Sequence, residues 1–312
     1  MDKTRFAAID IGSNAVRLLL AGVFDSVGGK VFKKECLVRM PLRLGDDAFV
    51  QKRISEHKAE SLVKTMRAFK HLIDAYEAVS YKACGTSALR EAANGQSVVD
   101  RVKEETDVEI EIIDGRLEAE LICLNHPESL FKSFKPYLYV DVGGGSTDMT
   151  LVEHGEIVDS ASINIGTVRL LNNLVDESRW QGLKQWCKKI KKEHKAITMV
   201  GSGGNINKLF RMARIKTGNP LTYKRLLKMQ NMLDKYSVEE RINKLDLRPD
   251  RADVIVPGAN IYLAVMKWSG AKKILVPQIG LADGIVHMLY NQYMNGGRSK
   301  GQLRPLAATK VD

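Results

Sequence analysis

Asp141 stands at the end of an apolar strand in YVDVGGGSTD (Tyr139–Asp148), followed by three glycines, two hydroxyl side chains and a second acid. A carboxylate placed there can hold a hard cation, directly or through water. Mg²⁺ suits such oxygen sites and commonly bridges carboxylate and phosphate. Glycines after a strand let several backbone N–H groups converge on one anionic oxygen. Ser146 and Thr147 add hydroxyl donors beside the amides of Gly143, Gly144 and Gly145. DIGSN (Asp10–Asn14) repeats this layout with its acid in the same place, and GSGGN (Gly201–Asn205) gives a third glycine loop. Each follows an apolar strand, so phosphate binding explains the coincidence better than three unrelated turns. No GxxxxGK[ST] occurs and no GxGxxG opens a βαβ unit. P-loop and dinucleotide-binding readings are therefore set aside.

Facing phosphate loops serve a kinase, an ATPase switch or a phosphatase. If water attacks phosphorus, a carboxylate must orient it and accept its proton. IIDGRLEAELI (Ile112–Ile122) ends a strand and begins a helix, with Glu118 and Glu120 near the helix start. Either glutamate could be that base, or could merely favour the positive end of its helix. Arg90, in TSALREAAN (Thr86–Asn94), is either a phosphate clamp in the cleft or a surface helix arginine.

The elements that must position these residues fall into two similar halves. Strands are expected at Arg5–Gly12, Ala15–Phe24, Lys30–Leu44, Tyr81–Thr86 and Val108–Ile113. Helices are expected at Ser55–Tyr76, Ser97–Thr106 and Leu117–Leu124. The first of these carries Leu62, Met66, Phe69, Ile73 and Tyr76 at helical spacing. A second block opens with strands at Leu138–Val142, Met149–Glu153 and Glu156–Ile165. Helices follow around Val168–Val175 and Trp180–His194, then a strand at Ala196–Val200. Thr222–Arg251 reads as charged helix, Ile255–Lys267 as apolar helix, Lys273–Val276 as strand and Asp283–Tyr293 as a final helix. DIGSN and DVGGGSTD thus open two divergent copies of one α/β block, with a cleft expected between them. The boundaries read as 1–125, 126–294 and a basic tail at 295–312, with the final helix 283–293 able to pack back on the first domain.

With 312 residues, 44% of them hydrophobic, the chain can bury two cores without staples. Its four cysteines form no CxxC pair and its six histidines no metal-spaced cluster. The histidines read as surface or packing residues. No signal-peptide layout or membrane-length apolar run is present, so a cytoplasmic protein is expected. The net charge of +11 attracts polyanions. Aromatics make up only 6% and do not interleave with the basic clusters, so no nucleic-acid partner is expected. The densest basic run, Lys184–Lys195, is either a solvated helix face or an electrostatic guide for an anionic chain.

Taken together these segments resemble the Ppx/GppA family of exopolyphosphatases and guanosine pentaphosphate phosphohydrolases. DIGSNAVRLLL, TSALREAAN, IDGRLEAELI, DVGGGSTD, GSGGN, VPGANIYL and GLADGIVHML are similar to its motifs in order, from about Phe6 to Tyr290. The resemblance implies two actin-like domains of the ribonuclease H-like, ASKHA type. It implies Mg²⁺-dependent release of terminal phosphate from polyphosphate or guanosine pentaphosphate, and a homodimer. Aligned on Gly115 and Ala119, the family's catalytic glutamate falls on Glu118. Asp10, Asp141 and Asp148 are then the acids for Mg²⁺. Gly12, Ser13, Asn14, the Gly143–Thr147 loop, Ser202, Gly203 and Gly204 are the phosphate grip, and Arg90 the charge neutraliser. Three positions depart from the pattern: Leu117 replaces the first of two glutamates, Glu120 an arginine, and Asp148 a glutamate. The further helical domains of longer members have no counterpart, which the resemblance links to short substrates or lower processivity.

Overall fold

The structure, a computed structural model, describes residues 3–26, 29–124, 136–194 and 196–296. The expected domain junction at 125/126 and nearly all of the basic tail lie outside the described residues.

Two sheets repeat one topology. In the first half, β1 (Lys3–Ile11), β2 (Val16–Ser26) and β3 (Gly29–Met40) form an antiparallel meander. Helices α1 (Leu44–Val50) and α2 (Glu56–Tyr76) follow. Then come β4 (Ser80–Gly85), α3 (Ser87–Glu91), α4 (Gly95–Thr106), β5 (Ile110–Ile112) and α5 (Gly115–Cys123). Strand order is β3-β2-β1-β4-β5, with β4 parallel to both β1 and β5.

The second half repeats the meander in β6 (Tyr137–Val142), β7 (Thr147–Glu153) and β8 (Glu156–Ile163), followed by α6 (Thr167–Leu171) and α7 (Glu177–Glu193). Next come β9 (Thr198–Ser202), α8 (Gly204–Met212), β10 (Leu221–Thr222), α9 (Tyr223–Asp234), α10 (Val238–Asn243) and α11 (Pro249–Ala252). The chain continues through α12 (Ile255–Ser269), β11 (Lys273–Leu275) and α13 (Leu281–Met294). Its sheet runs β8-β7-β6-β9-β11-β10, the first order with one strand added. These are the two actin-like domains.

Each sheet has its own core. Ile9, Ile11, Leu18 and Phe49 meet the α2 stripe of Leu62, Met66, Phe69 and Ile73 in the first domain. Leu138, Val140, Ile206, Tyr262 and Ile274 anchor the second. A third cluster forms where α13 returns to β1, β2 and α5, burying Ile285, Val286 and Leu289 against Phe6, Leu19 and Leu121. Phe6 is also gripped edge-on by Tyr290 and Tyr293.

Some expectations need correcting. The third strand ends at Met40 rather than Leu44, because Leu44, Ala48 and Phe49 turn into α1 and bury one helical face. The charged helical stretch expected over Thr222–Arg251 is divided into α9, α10 and α11. Asp246 adopts a left-handed φ of 51° and Pro249 starts a new helix. Backbone of that hand cannot continue a right-handed helix.

Candidate active site

A cleft of about 500 Å³ lies between the two domains. Its walls are the β1–β2 loop (Gly12, Ser13, Asn14), the β6–β7 loop (Gly143, Gly144, Ser146), the start of α8 (Gly203, Gly204, Asn205) and Glu118 of α5. The strand register explains why they meet. Asp10 and Asp141 are the penultimate residues of β1 and β6, and Ser202 ends β9, beside Asp141. Both turns are tightened in the same way: Gly12 N donates to Ala15 O at 3.2 Å and Gly143 N to Ser146 O at 2.9 Å. The domains interlock there, since a Cβ at Gly144 would stand 2.9 Å from the Ser13 side chain.

α8 points its N-terminus into this cleft. Its cap, Gly203, has φ +92°, and a Cβ there would lie 2.5 Å from Asp141 Oδ1. Glycine meets both demands. The free N–H groups of the first turn favour an anion.

Of the five carboxylates on the cleft, Asp283 pairs with Lys34 and the other four share the site. Asp10 Oδ2 accepts from Arg17 Nη1 at 2.6 Å. Burial, then the charges of Asp148 and Asp10, push the Asp141 carboxyl up to about 7, with Arg17 and the Ser202 hydroxyl opposing. Burial also raises Asp148, against the hydroxyls of Ser162 and Ser146. Ser146 Oγ donates to Asp148 Oδ2 at 2.9 Å, while Asp148 Oδ1 is buried without an aligned partner. Glu118 is held well above its ordinary value by burial first, then by Asp148, Asp141 and Asp10, with Arg90 opposing. It keeps an open face on the cleft. A raised pKa makes a carboxylate a stronger proton acceptor for water beside bound phosphate.

Among the described residues, no three acidic, histidine or cysteine side chains can cage a metal by themselves. That donor set still fits Mg²⁺, which usually keeps several waters and takes one or two carboxylates plus substrate phosphate. Mutual repulsion among these acids and the orphaned oxygen of Asp148 are what a divalent cation would relieve.

The expected site residues divide into those on the cleft and those behind it. Asp10, Gly12, Ser13, Asn14, Glu118, Asp141, Gly143, Gly144, Ser146, Asp148, Gly203 and Gly204 line it. Glu120 instead accepts from Arg116 Nε at 3.0 Å on the outer face of α5. Thr147 is fully buried and its hydroxyl donates to Ile165 O at 2.6 Å. Gly145 packs against Phe49 and Ser87, and Ser202 lies beneath Asp141. Arg90 donates from Nη1 to Ile113 O at 2.6 Å. None of Thr147, Gly145, Ser202 and Arg90 forms the cleft wall.

Sequence reasoning missed the cleft's cations: Arg17, Lys34, Arg211 and Arg251. Arg251 is the deepest. Its Nη1 donates to Asn205 Oδ1 at 2.9 Å and would lie 2.6 Å from a Cβ at Gly204. Burial, with Arg39 and Arg17 nearby, brings it down to about 10, so it stays charged at neutral pH. The basic run of α7 is elsewhere, its lysines on an outer face while Leu183, Cys187 and Ile190 face the core.

Comparison with known proteins gives the chain its relatives. The sequence pattern of the Ppx/GppA phosphatase family fits residues 30–292. A bifunctional 3-dehydroquinate synthase/phosphatase of Fusobacterium nucleatum is 29% identical over 299 residues, 87% of this chain, which spans only 44% of that protein. Exopolyphosphatase 1 of Mycobacterium bovis is 25% identical over 303 residues, covering 90% of this chain and 87% of that one. The crystal structure of an Aquifex aeolicus member of the Ppx/GppA family overlays with a TM-score of 0.74 at 25% identity, covering 96% of this chain and all of that one.

Proposed function

The chain belongs to the Ppx/GppA phosphatase family, and from that premise we propose that it hydrolyses the terminal phosphoanhydride bond of inorganic polyphosphate with the help of Mg²⁺. The observation that carries this reading is Glu118: a carboxylate with a raised pKa, open to a cleft whose other walls are two glycine loops and a helix N-terminus.

The terminal phosphate sits among the amides of the β6–β7 loop, the Ser13–Asn14 turn and the first turn of α8. Water lies between Glu118 and the terminal phosphorus. The new P–O bond forms from that water, its proton passes to Glu118, and the bridging P–O bond breaks on the far side. Arg17 and Arg251 counter the charge of the bound phosphate chain. One or two of Asp10, Asp141 and Asp148 would hold Mg²⁺ together with substrate phosphate, and its chemistry there would be to neutralise phosphate oxygens and template the reacting group.

No aromatic side chain of the described residues lines the cleft, which supports a phosphate chain over a compound needing base stacking. Phosphate release with Mg²⁺ from long polyphosphate, guanosine pentaphosphate and ATP tests the proposal. Release from polyphosphate is expected. Release from the guanosine compound alone would move the substrate, and release from none would remove the hydrolase reading.

A further inference from the structure

The β6–β7 loop is held from behind by α6. Thr167 N donates to the Gly143 carbonyl at 3.0 Å and Val168 N to that of Gly144 at 2.9 Å. Arg169 Nε donates to the Gly145 carbonyl at 2.7 Å. In a planar trans peptide the C=O and the following N–H point in opposite directions. Three successive carbonyls are drawn to α6, so the amides of Gly144, Gly145 and Ser146 are turned away from it. Among the described residues no backbone carbonyl accepts from any of those three amides. Gly144 and Ser146 lie on the cleft.

The β1–β2 loop is treated alike. Gly45 N donates to Ser13 O at 2.8 Å and Arg43 N to Asn14 O at 3.2 Å, both from the start of α1. The two domains therefore share a device in which a short helix pulls loop carbonyls back. In the second domain the last link is a side chain, and that side chain also crosses to the first domain. Arg169 is 3% exposed, pairs through Nη2 with Glu91 of α3, and holds its guanidinium carbon 4.1 Å from the Phe49 ring centre. Phe49 fills the space where a Cβ at Gly145 would stand, 2.4 Å away.

We propose that Arg169 is a positioning residue: it fixes the Gly145–Ser146 peptide so that the Ser146 amide faces the bound phosphate. Through Glu91 and Phe49 it makes that orientation depend on the docking of the first domain. The identity of the anion rests on the phosphohydrolase reading; the orientation of the amide does not.

The test uses the isotope-labelled full chain. Inorganic phosphate is titrated while the Ser146 amide resonance is followed, and kcat and KM are measured on polyphosphate. Arg169→Lys keeps the charge but loses the Nε donor. It is expected to weaken phosphate binding and lower kcat by roughly tenfold or more, with a smaller change in KM, a near-native melting temperature and a lost Ser146 response. Glu91→Gln, a milder change, keeps the Gly145 bond and should give an intermediate loss; it carries the test if Arg169→Lys does not fold. A folded Arg169→Lys or Glu91→Gln chain with wild-type kcat and a wild-type Ser146 response would overturn the proposal. So would a wild-type Ser146 amide that ignores phosphate. If wild type releases no phosphate from any substrate while that amide still responds, the hydrolase reading fails and the positioning role stands.

Discussion

Asp141 stands directly opposite Asp148 across the β6–β7 ladder, at the register position where Asp10 stands opposite Arg17 in the β1–β2 ladder. One copy of the repeat thus carries an ion pair where the other carries two like charges. Facing acids destabilise a sheet, and burial first, then Asp148 and Asp10, raise Asp141 to about 7 against an ordinary 3.8. Between those values the folded chain keeps a proton that the unfolded chain has lost, so stability falls as pH rises through that window. Asp148 and Glu118 are raised too and act with the same sign. Without divalent cations, the melting temperature should drop by a few degrees between about pH 5 and about pH 8. Asp141→Asn should flatten that slope, and saturating Mg²⁺ should raise stability most at the alkaline end. Calorimetry across pH checks this; a slope unchanged by Asp141→Asn would refute it.

Glu118 and Glu120 are two residues apart on one helix, yet only Glu118 reaches the cleft. Glu118→Gln should lower kcat by roughly 10²–10⁴ fold while leaving phosphate binding in place. Glu120→Gln removes only an ion pair with the exposed Arg116 and should leave kcat close to wild type. Steady-state assays with calorimetric phosphate titration separate the two. Equal losses from both would mean that neither glutamate has the assigned place.

What the sequence made legible follows from how local each signal is. Glycine loops after apolar strands are local, so both cleft loops and their acids could be read before any fold was known. α2 was legible from its stripe of apolar residues. α1 was not, because a seven-residue helix gives too short a period and its neighbours continue a strand pattern. Thr147 looked like a donor in GGGST, but it begins β7 facing inward and spends its hydroxyl on Ile165. Arg251 was hidden among the charges of a polar stretch. Only the packing of α11 against α8 turns it into the cleft, and no pattern along the chain records that.

Arg251 should therefore matter to substrate grip more than to chemistry. A buried cation hydrogen-bonded within the site contributes about 1.5–3 kcal/mol, so Arg251→Ala should raise KM for polyphosphate by roughly ten- to a hundredfold, with a smaller change in kcat. Arg251→Lys should recover only part of this, since a point charge lacks the guanidinium fork. Raising ionic strength should weaken wild type more than Arg251→Ala. An unchanged KM in a folded Arg251→Ala chain would refute the assignment.

Gly203 offers a sharper test of geometry, because Gly218 shares its backbone hand but not its surroundings. Gly203 has φ +92° and Gly218 has φ +89°. A Cβ at Gly203 would press on Asp141 Oδ1, whereas nothing lies within 4 Å of one at Gly218. Alanine at either position carries the backbone strain, about 1–3 kcal/mol. Only Gly203→Ala also displaces Asp141 and the helix start that faces the anion. Both variants should lose a few degrees in melting temperature. Gly218→Ala should keep wild-type turnover, while Gly203→Ala should lose it by at least roughly tenfold and need more Mg²⁺ for half-maximal activity. If the two variants match in both stability and turnover, the contact between Gly203 and Asp141 plays no part in the reaction.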